Sequence, residues 1–246
     1  MRSLLIAPGD DKAKLEAAMA SEADAVAIDL DVPGPRREVA RANAAGLIRE
    51  ARARPEGPAP MVRIGALGGG ETDRDLDAVM AAAPCAVLLP RAGGRASVQQ
   101  LSVKLALREA VCGLDAGATG IIAVVDTADA LLAVGSFPGA SARLIGLAWD
   151  AEALRAGLGA EAAREASGAY ASPLQIAREM TLFAAAAAGV AAIDSPFDES
   201  GEARLRAEAE TARRHGFEGK LARDPRQARI INEAFARKLV EGGGES

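Results

Sequence analysis

The chain has 246 residues, of which 50% are hydrophobic and 26% are charged, a balance typical of a globular domain with a large core. The net charge of −5 argues against a general nucleic-acid binder. The longest apolar stretch, 182–193, is too short to span a membrane. Because the N-terminus also lacks the apolar region of a signal peptide, the sequence predicts a cytoplasmic protein.

Eight apolar runs with strand character alternate with helix-like segments along the chain. Such runs are typical of strands buried on both faces of a parallel sheet. Eight strand–helix units predict a TIM (β/α)8 barrel, and an open doubly wound sheet is the alternative. The strands are predicted at 3–8, 25–31, 61–65, 86–90, 120–126, 144–149, 191–195 and 219–223. The helices are predicted at 10–20, 37–54, 71–82, 96–111, 127–134, 174–188, 201–215 and 225–240.

The predicted barrel is a single domain that covers residues 1–240. The segment 151–172, which follows the sixth strand, is long for a loop, and we expect it to carry a short extra helix. The glycine-rich tail, 241–246, is expected to be disordered.

Charged residues lie at or near the ends of the strand-like runs. In (β/α)8 barrels, the carboxyl ends of the strands surround the active site. We therefore expect these side chains to share one crowded pocket. They are Asp31, Arg63, Arg91, Asp126, Asp150, Asp194, Arg223 and Asp224.

Carboxylates are prominent among these strand-end residues. Asp126 and Asp150 close the fifth and sixth strands, and Asp29 and Asp31 end the second. Carboxylates at short range repel unless a cation or a proton lies between them, and hard oxygen ligands suit Mg²⁺ or Mn²⁺. The alternative is that they cap the following helices, as Asp126 does if a helix begins at Thr127.

Arg63 lies within the apolar run MVRIG, where a buried guanidinium needs an anionic partner. It either clamps a substrate carboxylate or pairs with one of the aspartates. The glycines at 68–70 that follow could bring backbone N–H groups close to an anion, but the lysine and spacing of a P-loop are absent.

The histidine and the cysteines carry little functional signal. The single histidine, His215, precedes Gly216 at a predicted helix end, where we expect it to face solvent. This position excludes Ser–His and Cys–His hydrolase mechanisms. Cys85 and Cys112 lack the spacing of metal ligands and are expected to be buried, reduced thiols.

Four segments carry a resemblance to a known family. They are RSLLIAPGDDKAKLEAAMASEADAVAIDLD, MVRIG, AVLLPR and the C-terminal AGVAAIDSPFDES…EAETARRHGFEGKLARDPRQARIINEAF. Over nearly its whole length the chain resembles the citrate lyase β-subunit group of the HpcH/HpaI aldolase superfamily. The resemblance implies a metal-dependent (β/α)8 barrel that cleaves or forms a carbon–carbon bond next to a thioester or keto acid. It also implies citryl-, malyl- or citramalyl-coenzyme A as typical substrates and a homo-oligomer, often a trimer or hexamer.

The resemblance also implies roles for individual residues. Arg63 matches the arginine on strand three that binds substrate oxygens. The strand-five glutamate that holds Mg²⁺ falls on Asp126, a carboxylate one methylene shorter. The strand-six aspartate ligand falls on Ala153, which leaves Asp150 or Glu152 to replace it.

Other departures from the family pattern lie at the strand ends too. Gly65 stands where the family has asparagine, and Asp31-Val32 replaces a Glu-Asp pair. Arg91 replaces a lysine, Gly93 an acid, and Asp224 the histidine that precedes a proline. Because the scaffold matches while the strand ends differ, the site is either rebuilt for another substrate or has lost its chemistry.

The sequence therefore predicts a divergent lyase or aldolase that uses Mg²⁺ or Mn²⁺. Its substrate is a small anionic keto or hydroxy acid, or its coenzyme A thioester. The alternative is a catalytically degraded member that binds a small anionic or acyl-coenzyme A ligand without metal-dependent cleavage. The candidate residues are Arg63 and Asp31 for catalysis, Arg63, Arg91 and Gly65 for substrate binding, and Asp126, Asp150 and Glu152 for the metal.

Overall fold

Eight parallel strands close into a barrel in chain order. The computed structural model describes residues 1–54 and 56–236. The predicted TIM barrel is confirmed, and the alternative of an open doubly wound sheet is wrong. The strands are β1 (Ser3–Pro8), β2 (Ala25–Asp29), β3 (Ala59–Arg63), β4 (Ala86–Leu89), β5 (Gly120–Val125), β6 (Leu144–Trp149), β7 (Ala191–Asp194) and β8 (Gly219–Ala222).

Helices follow the strands and cover the outside of the barrel. One of them, α6, begins directly after β6. Of the predicted last helix, residues 237–240 lie outside the described residues, as does the tail 241–246. The helices are α1 (Lys12–Met19), α2 (Arg36–Ala53), α3 (Thr72–Val79), α4 (Arg95–Cys112), α5 (Ala128–Leu132), α6 (Ala151–Leu158), α7 (Ser172–Ala188), α8 (Glu202–His215) and α9 (Pro225–Phe235).

The core has two layers, because successive side chains of a strand point to opposite faces of the sheet. The inner layer fills the barrel and consists mostly of small and branched side chains, such as Ala27, Val124 and Ile193. The outer layer lies between the strands and the helices and includes Ile28, Val125 and Trp149. This alternation decides which strand-end residues face the open end of the barrel.

Asp194, at the end of β7, does not share the expected pocket. It follows the inner-layer residue Ile193 and therefore points outwards. Its Oδ1 accepts hydrogen bonds from Trp149 Nε1 at 2.8 Å and from Arg178 Nε at 3.0 Å, and Lys220 Nζ lies 3.3 Å from its Oδ2. The expectation of an active-site role for Asp194 is thus wrong, because strand alternation turns it into the layer between the barrel and α7.

Asp194→Ala should lower the free energy of unfolding by about 3–5 kcal/mol, because removing one partner leaves buried charges without compensation. Asp194 and Lys220 are both fully buried. The exposed Asp129 on α5 provides a matched control, and Asp129→Ala should change stability by no more than about 0.5 kcal/mol. Urea unfolding measures both values. Equal stability of the two variants would contradict this prediction.

The same ion pair makes stability depend on pH. Burial alone would raise the pKa of Asp194, but the Lys220 and Arg178 cations outweigh burial and lower it to about 2. A lowered carboxyl pKa stabilises the fold above the unfolded-state value of about 4, and this contribution is lost as the pH falls further. The stability difference between the wild type and Asp194→Asn should therefore shrink between about pH 4 and about pH 2. Urea titrations at several pH values measure this difference, and a constant gap would contradict the prediction.

The surface carries the histidine and one of the cysteines. His215 is exposed at the end of α8, and Gly216 follows in the left-handed conformation with φ 106°, as the sequence predicts. Cys112 is exposed, so the expectation of a buried thiol is wrong for it, while Cys85 is half-buried. Within residues 1–54 and 56–236, no helix combines the length and the apolar character needed to cross a membrane.

Candidate functional site at the mouth of the barrel

The mouth of the barrel, where the strands end, is lined by charged side chains. Each lies two residues after a side chain of the inner layer, so that strand alternation turns it towards the barrel axis. The mouth therefore gathers both signs of charge around one opening, as the sequence predicts for these positions. The residues are Asp29, Arg63, Asp126, Asp150 and Arg223.

Asp126 follows β5 and is buried, with 7% of its surface exposed. Its Oδ1 accepts a hydrogen bond from the backbone N–H of Arg91 at 2.8 Å. Burial raises the pKa of the Asp126 carboxyl, and the nearby charge of Asp150 adds to this effect, while the Arg91 N–H and the Arg63 cation act in the opposite direction. The N-cap of α5 is Thr127, whose side chain accepts from Ala130 N, so Asp126 does not cap that helix.

The backbone at Arg91 is strained. Its φ is 51°, in the left-handed region that non-glycine residues rarely adopt. Strain of this kind costs on the order of 1–3 kcal/mol and clusters at functional sites. Here the turn aims the Arg91 N–H at Asp126. The exposed Arg91 side chain reaches Asp31, with Nη2 3.6 Å from Oδ2.

Asp150 combines two roles that the sequence leaves as alternatives. Its Oδ1 caps α6 by accepting hydrogen bonds from the backbone N–H groups of Glu152 and Ala153, both at 3.1 Å. The other oxygen, Oδ2, lies 3.6 Å from Arg223 Nη2. One carboxylate oxygen thus serves the helix, and the other faces the mouth.

Arg63 pairs with an aspartate and stays partly open to the mouth. Its Nη1 donates to Asp29 Oδ2 at 2.9 Å, and 25% of the Arg63 side chain is exposed. Asp29 Oδ1 accepts the backbone N–H of Asp31 at 2.9 Å. Of the two alternatives for Arg63, the aspartate pair is therefore present, and the exposed part of the guanidinium could still contact an anionic ligand.

The remaining candidates are held by other partners. Asp31 Oδ1 accepts from Arg37 Nη1 at 3.1 Å. The backbone N–H of Gly65 donates to Asp75 Oδ2 at 2.9 Å. Glu152 Oε2 accepts from Arg155 Nε at 2.7 Å and lines a side cavity of about 380 Å³ next to α6. Of the predicted metal and substrate residues, Asp126, Asp150 and Arg63 therefore have the positions at the barrel mouth that best match their predicted roles.

The donor set at the mouth suits a magnesium ion held by two carboxylates. In the described part of the chain, no three His, Cys, Asp or Glu side chains converge as ligands of one metal. Mg²⁺ commonly uses only one or two protein carboxylates and completes its shell with water and substrate oxygens. The buried Asp126 carboxyl, whose pKa is raised by burial and by the charge of Asp150, is a group that a cation would stabilise.

Sequence reasoning missed three residues around the mouth. Arg37, at the start of α2, and Asp75, on α3, hold Asp31 and Gly65. Asp198, after β7, accepts from Arg223 Nε at 2.9 Å. For Arg37 and Asp75, the sequence offered one indication, which is Gly65. A glycine at a strand end leaves space that a side chain from elsewhere in the chain can fill.

Comparison with known proteins identifies a family to which this chain is similar. The sequence profile of the HpcH/HpaI aldolase/citrate lyase family matches residues 2–225. The citrate lyase subunit beta of Escherichia coli strain K12 is 29% identical over 238 residues, which are 96% of this chain and 76% of that protein.

Solved structures from Mycobacterium tuberculosis share the fold. One is a citrate lyase beta subunit complexed with oxaloacetate and magnesium, with a TM-score of 0.76, 30% identity and coverage of 96% of both chains. Another is protein CitE in complex with magnesium, acetoacetate and coenzyme A. Its TM-score is 0.77 and its identity 31%, with coverage of 97% of this chain and 82% of that one.

Proposed function

Because the chain belongs to the HpcH/HpaI aldolase/citrate lyase family, we propose that it is a magnesium-dependent carbon–carbon lyase or aldolase. The observation that carries this proposal is the position of Asp126 and Asp150, which directly follow the paired residues Val125 and Trp149 of β5 and β6 at the barrel mouth. Its substrate would be a small keto or hydroxy acid, or the coenzyme A thioester of one. Relatives that bind oxaloacetate with magnesium, and acetoacetate with coenzyme A, support this substrate class.

Two carboxylates would hold the metal. Asp126 provides one, and Asp150 provides the other through the oxygen that faces the mouth. Glu152 stays a predicted ligand, although it pairs with Arg155 in this arrangement. Bound Mg²⁺, or Mn²⁺ in its place, would stabilise the negative charge that develops on a substrate oxygen during bond cleavage.

The protein side chains would orient the substrate. Arg63 would bind a carboxylate or carbonyl oxygen of the keto-acid fragment, since a guanidinium matches the planar geometry of a carboxylate. The Arg91 side chain, exposed at the mouth, would bind a second anionic group, and its N–H fixes Asp126. Asp31 is the candidate for proton transfer. Gly65 stays a predicted substrate contact, although its N–H donates to Asp75.

The proposal is tested by a cleavage assay with citryl-, malyl- and citramalyl-coenzyme A. We expect release of the shorter thioester and a keto acid from at least one of them, with activity lost in EDTA and restored by added Mg²⁺. Cleavage that is unaffected by EDTA would overturn the metal-dependent mechanism. Absence of cleavage in all three reactions, with Mg²⁺ present, would overturn these coenzyme A thioesters as substrates.

A second candidate function is ligand binding without cleavage. The observation that favours it is the position of Arg223, whose Nη2 lies 3.6 Å from Asp150 Oδ2 and could replace a metal cation there. Ala153 also supplies no carboxylate where the family has one. Calorimetry with oxaloacetate in EDTA separates the two functions, since a metal-free anion site would bind oxaloacetate as tightly as in Mg²⁺.

Assembly and location remain predictions. We propose a homo-oligomer, a trimer or hexamer, in the cytoplasm, as the family resemblance implies. Sedimentation velocity on the purified protein measures the subunit number, and a monomer at micromolar concentration would contradict the oligomer.

A further inference from the structure

The guanidinium of Arg37 occupies the space of a missing side chain at the end of β3. A Cβ atom added to Gly65 would lie 2.2 Å from Arg37 Nη2 and 3.2 Å from its Cζ. Real Cβ atoms do not approach other heavy atoms so closely, so any side chain at position 65 would displace this guanidinium. The lack of a side chain at Gly65 therefore leaves room for the Arg37 guanidinium. No positive φ requires a glycine at this position.

Arg37 is anchored from below by a buried carboxylate. Its Nε and Nη2 donate to Asp75 Oδ1 and Oδ2 at 3.1 and 2.7 Å, a two-point contact that fixes the plane of the guanidinium. Asp75 is fully buried and also accepts from Arg41 and from the Gly65 N–H. With so many contacts, Asp75 holds Arg37 in one orientation.

The third nitrogen of Arg37 points towards the mouth. Arg37 Nη1 donates to Asp31 Oδ1 at 3.1 Å, and Asp31 Oδ2 lies 3.6 Å from Arg91 Nη2. The backbone N–H of Arg91 in turn donates to Asp126 at 2.8 Å. A continuous series of polar contacts thus runs from the buried Asp75 through Arg37, Asp31 and Arg91 to Asp126.

We propose that Arg37 is a positioning residue, which reaches over Gly65 to hold the Asp31 carboxylate at the mouth of the barrel. This inference rests on the proposed function, because it gives Asp31 a part in the reaction. Its chemistry is that of a fork-shaped cation with two fixed partners, which a lysine cannot reproduce. In the proposed reaction Asp31 would contact the substrate, and Arg37 would act only through Asp31.

A double-mutant cycle on stability tests whether Gly65 leaves room for the Arg37 guanidinium. Gly65→Ala should lower the Tm of the wild type, because the new methyl group displaces the Arg37 guanidinium from Asp75. In the Arg37→Ala background, the same substitution should cost little, because the guanidinium is gone. An equal loss of Tm in both backgrounds would show that Gly65 does not serve to admit Arg37 and would overturn this part.

A second double-mutant cycle, on cleavage of the acyl-coenzyme A substrate, tests whether Arg37 positions Asp31 for the reaction. Arg37→Ala and Gly65→Ala should each lower kcat by about 10- to 100-fold, since a small misplacement of a reacting group has effects of this size. In Arg37→Ala, the Kd for oxaloacetate in Mg²⁺ should change less than about twofold, because Arg63 is untouched. In the Asp31→Asn background, Arg37→Ala should lower kcat no further.

Two further variants separate positioning from a general effect on the fold. Arg37→Lys keeps the charge but cannot hold both carboxylates, so its kcat should stay below half of the wild-type value. The neighbouring Arg36, which is exposed and pairs with Asp10, is the matched control, and Arg36→Ala should keep wild-type kcat. Additive losses from Asp31→Asn and Arg37→Ala would overturn the proposal.

The positioning of Asp31 by Arg37 can also be measured without enzymatic activity. A wild type that cleaves no acyl-coenzyme A refutes that function by itself. Positioning is then judged from the ¹³C carboxyl resonance of Asp31, which should move in Arg37→Lys and stay unchanged in Arg36→Ala. An Asp31 resonance that does not respond to Arg37→Lys would overturn the positioning proposal as well.

Discussion

Asp126→Ala should lower the affinity for Mg²⁺ by more than about 100-fold, because loss of a partner outside the metal shell already costs 10- to 100-fold. Asp126 is the buried member of the carboxylate pair, and burial together with the charge of Asp150 raises the pKa of its carboxyl. Without it, Asp150 alone faces the ion, with Arg223 nearby. Acyl-coenzyme A cleavage should fall below detection in the same variant. Calorimetry with Mg²⁺ and the cleavage assay measure the two effects.

Two substitutions serve as controls for this result. Asp126→Glu introduces the glutamate that the family resemblance implies at this position, and it should keep Mg²⁺ binding within about tenfold of the wild type, because the donor atoms are retained. Asp129→Ala removes an exposed carboxylate three residues along the chain and should change neither affinity nor activity. Unaltered Mg²⁺ affinity in Asp126→Ala would show that the metal, if bound, lies elsewhere.

Arg63→Ala is expected to raise KM by about 30- to 4,000-fold, since removing one partner of a charge pair costs about 2–5 kcal/mol. The substrate loses its guanidinium, and Asp29 loses its partner at 2.9 Å. Mg²⁺ affinity without substrate should change by less than about fivefold, because Arg63 donates to Asp29 and not to the metal carboxylates. Steady-state kinetics and metal titration together separate the two effects.

Arg63→Lys tests whether charge alone is sufficient. A lysine ammonium lacks the planar fork of a guanidinium, so KM should stay raised by about tenfold or more. The matched control is Arg206, whose side chain is 43% exposed and pairs with Glu233, and Arg206→Ala should leave KM unchanged. A wild-type KM in Arg63→Ala would contradict the role of Arg63 in substrate binding.

The barrel could be predicted from the sequence because its strands are buried on both faces. Runs such as 120–126 and 144–149 are continuously apolar, and β5 and β6 begin and end within one residue of these predictions. Each predicted strand lies within two residues of the observed one at both ends. Burial on both faces gives continuous apolar runs, and their short length distinguishes these strands from buried helices.

The orientation of the strand ends was harder to predict. Asp150 directly follows β6 and Asp194 is the last residue of β7, yet Asp150 faces the mouth and Asp194 faces α7. The difference is one residue of strand length, which turns the side chain to the other face. Since strand ends are the least certain part of a prediction, a charged residue there cannot be assigned to a face from its position alone.

Partners from distant parts of the chain were not predictable either. The contact between Arg37 and Asp75 joins residues 38 positions apart, and neither residue lies at a strand end. Only the three-dimensional structure reveals that Gly65 makes room for this contact. The family resemblance implied a glycine in place of an asparagine, but nothing in the sequence indicated the guanidinium that takes its space.

Calorimetric titration of Mg²⁺ into the wild-type protein, with and without oxaloacetate, tests most directly whether Asp126 and Asp150 form a working magnesium site that acts on a keto acid. We expect Mg²⁺ to bind, and to bind at least about tenfold more tightly with oxaloacetate, because substrate oxygens complete the shell of the ion. No Mg²⁺ binding under either condition would contradict a magnesium site at Asp126 and Asp150 and leave a barrel that binds anions without a metal.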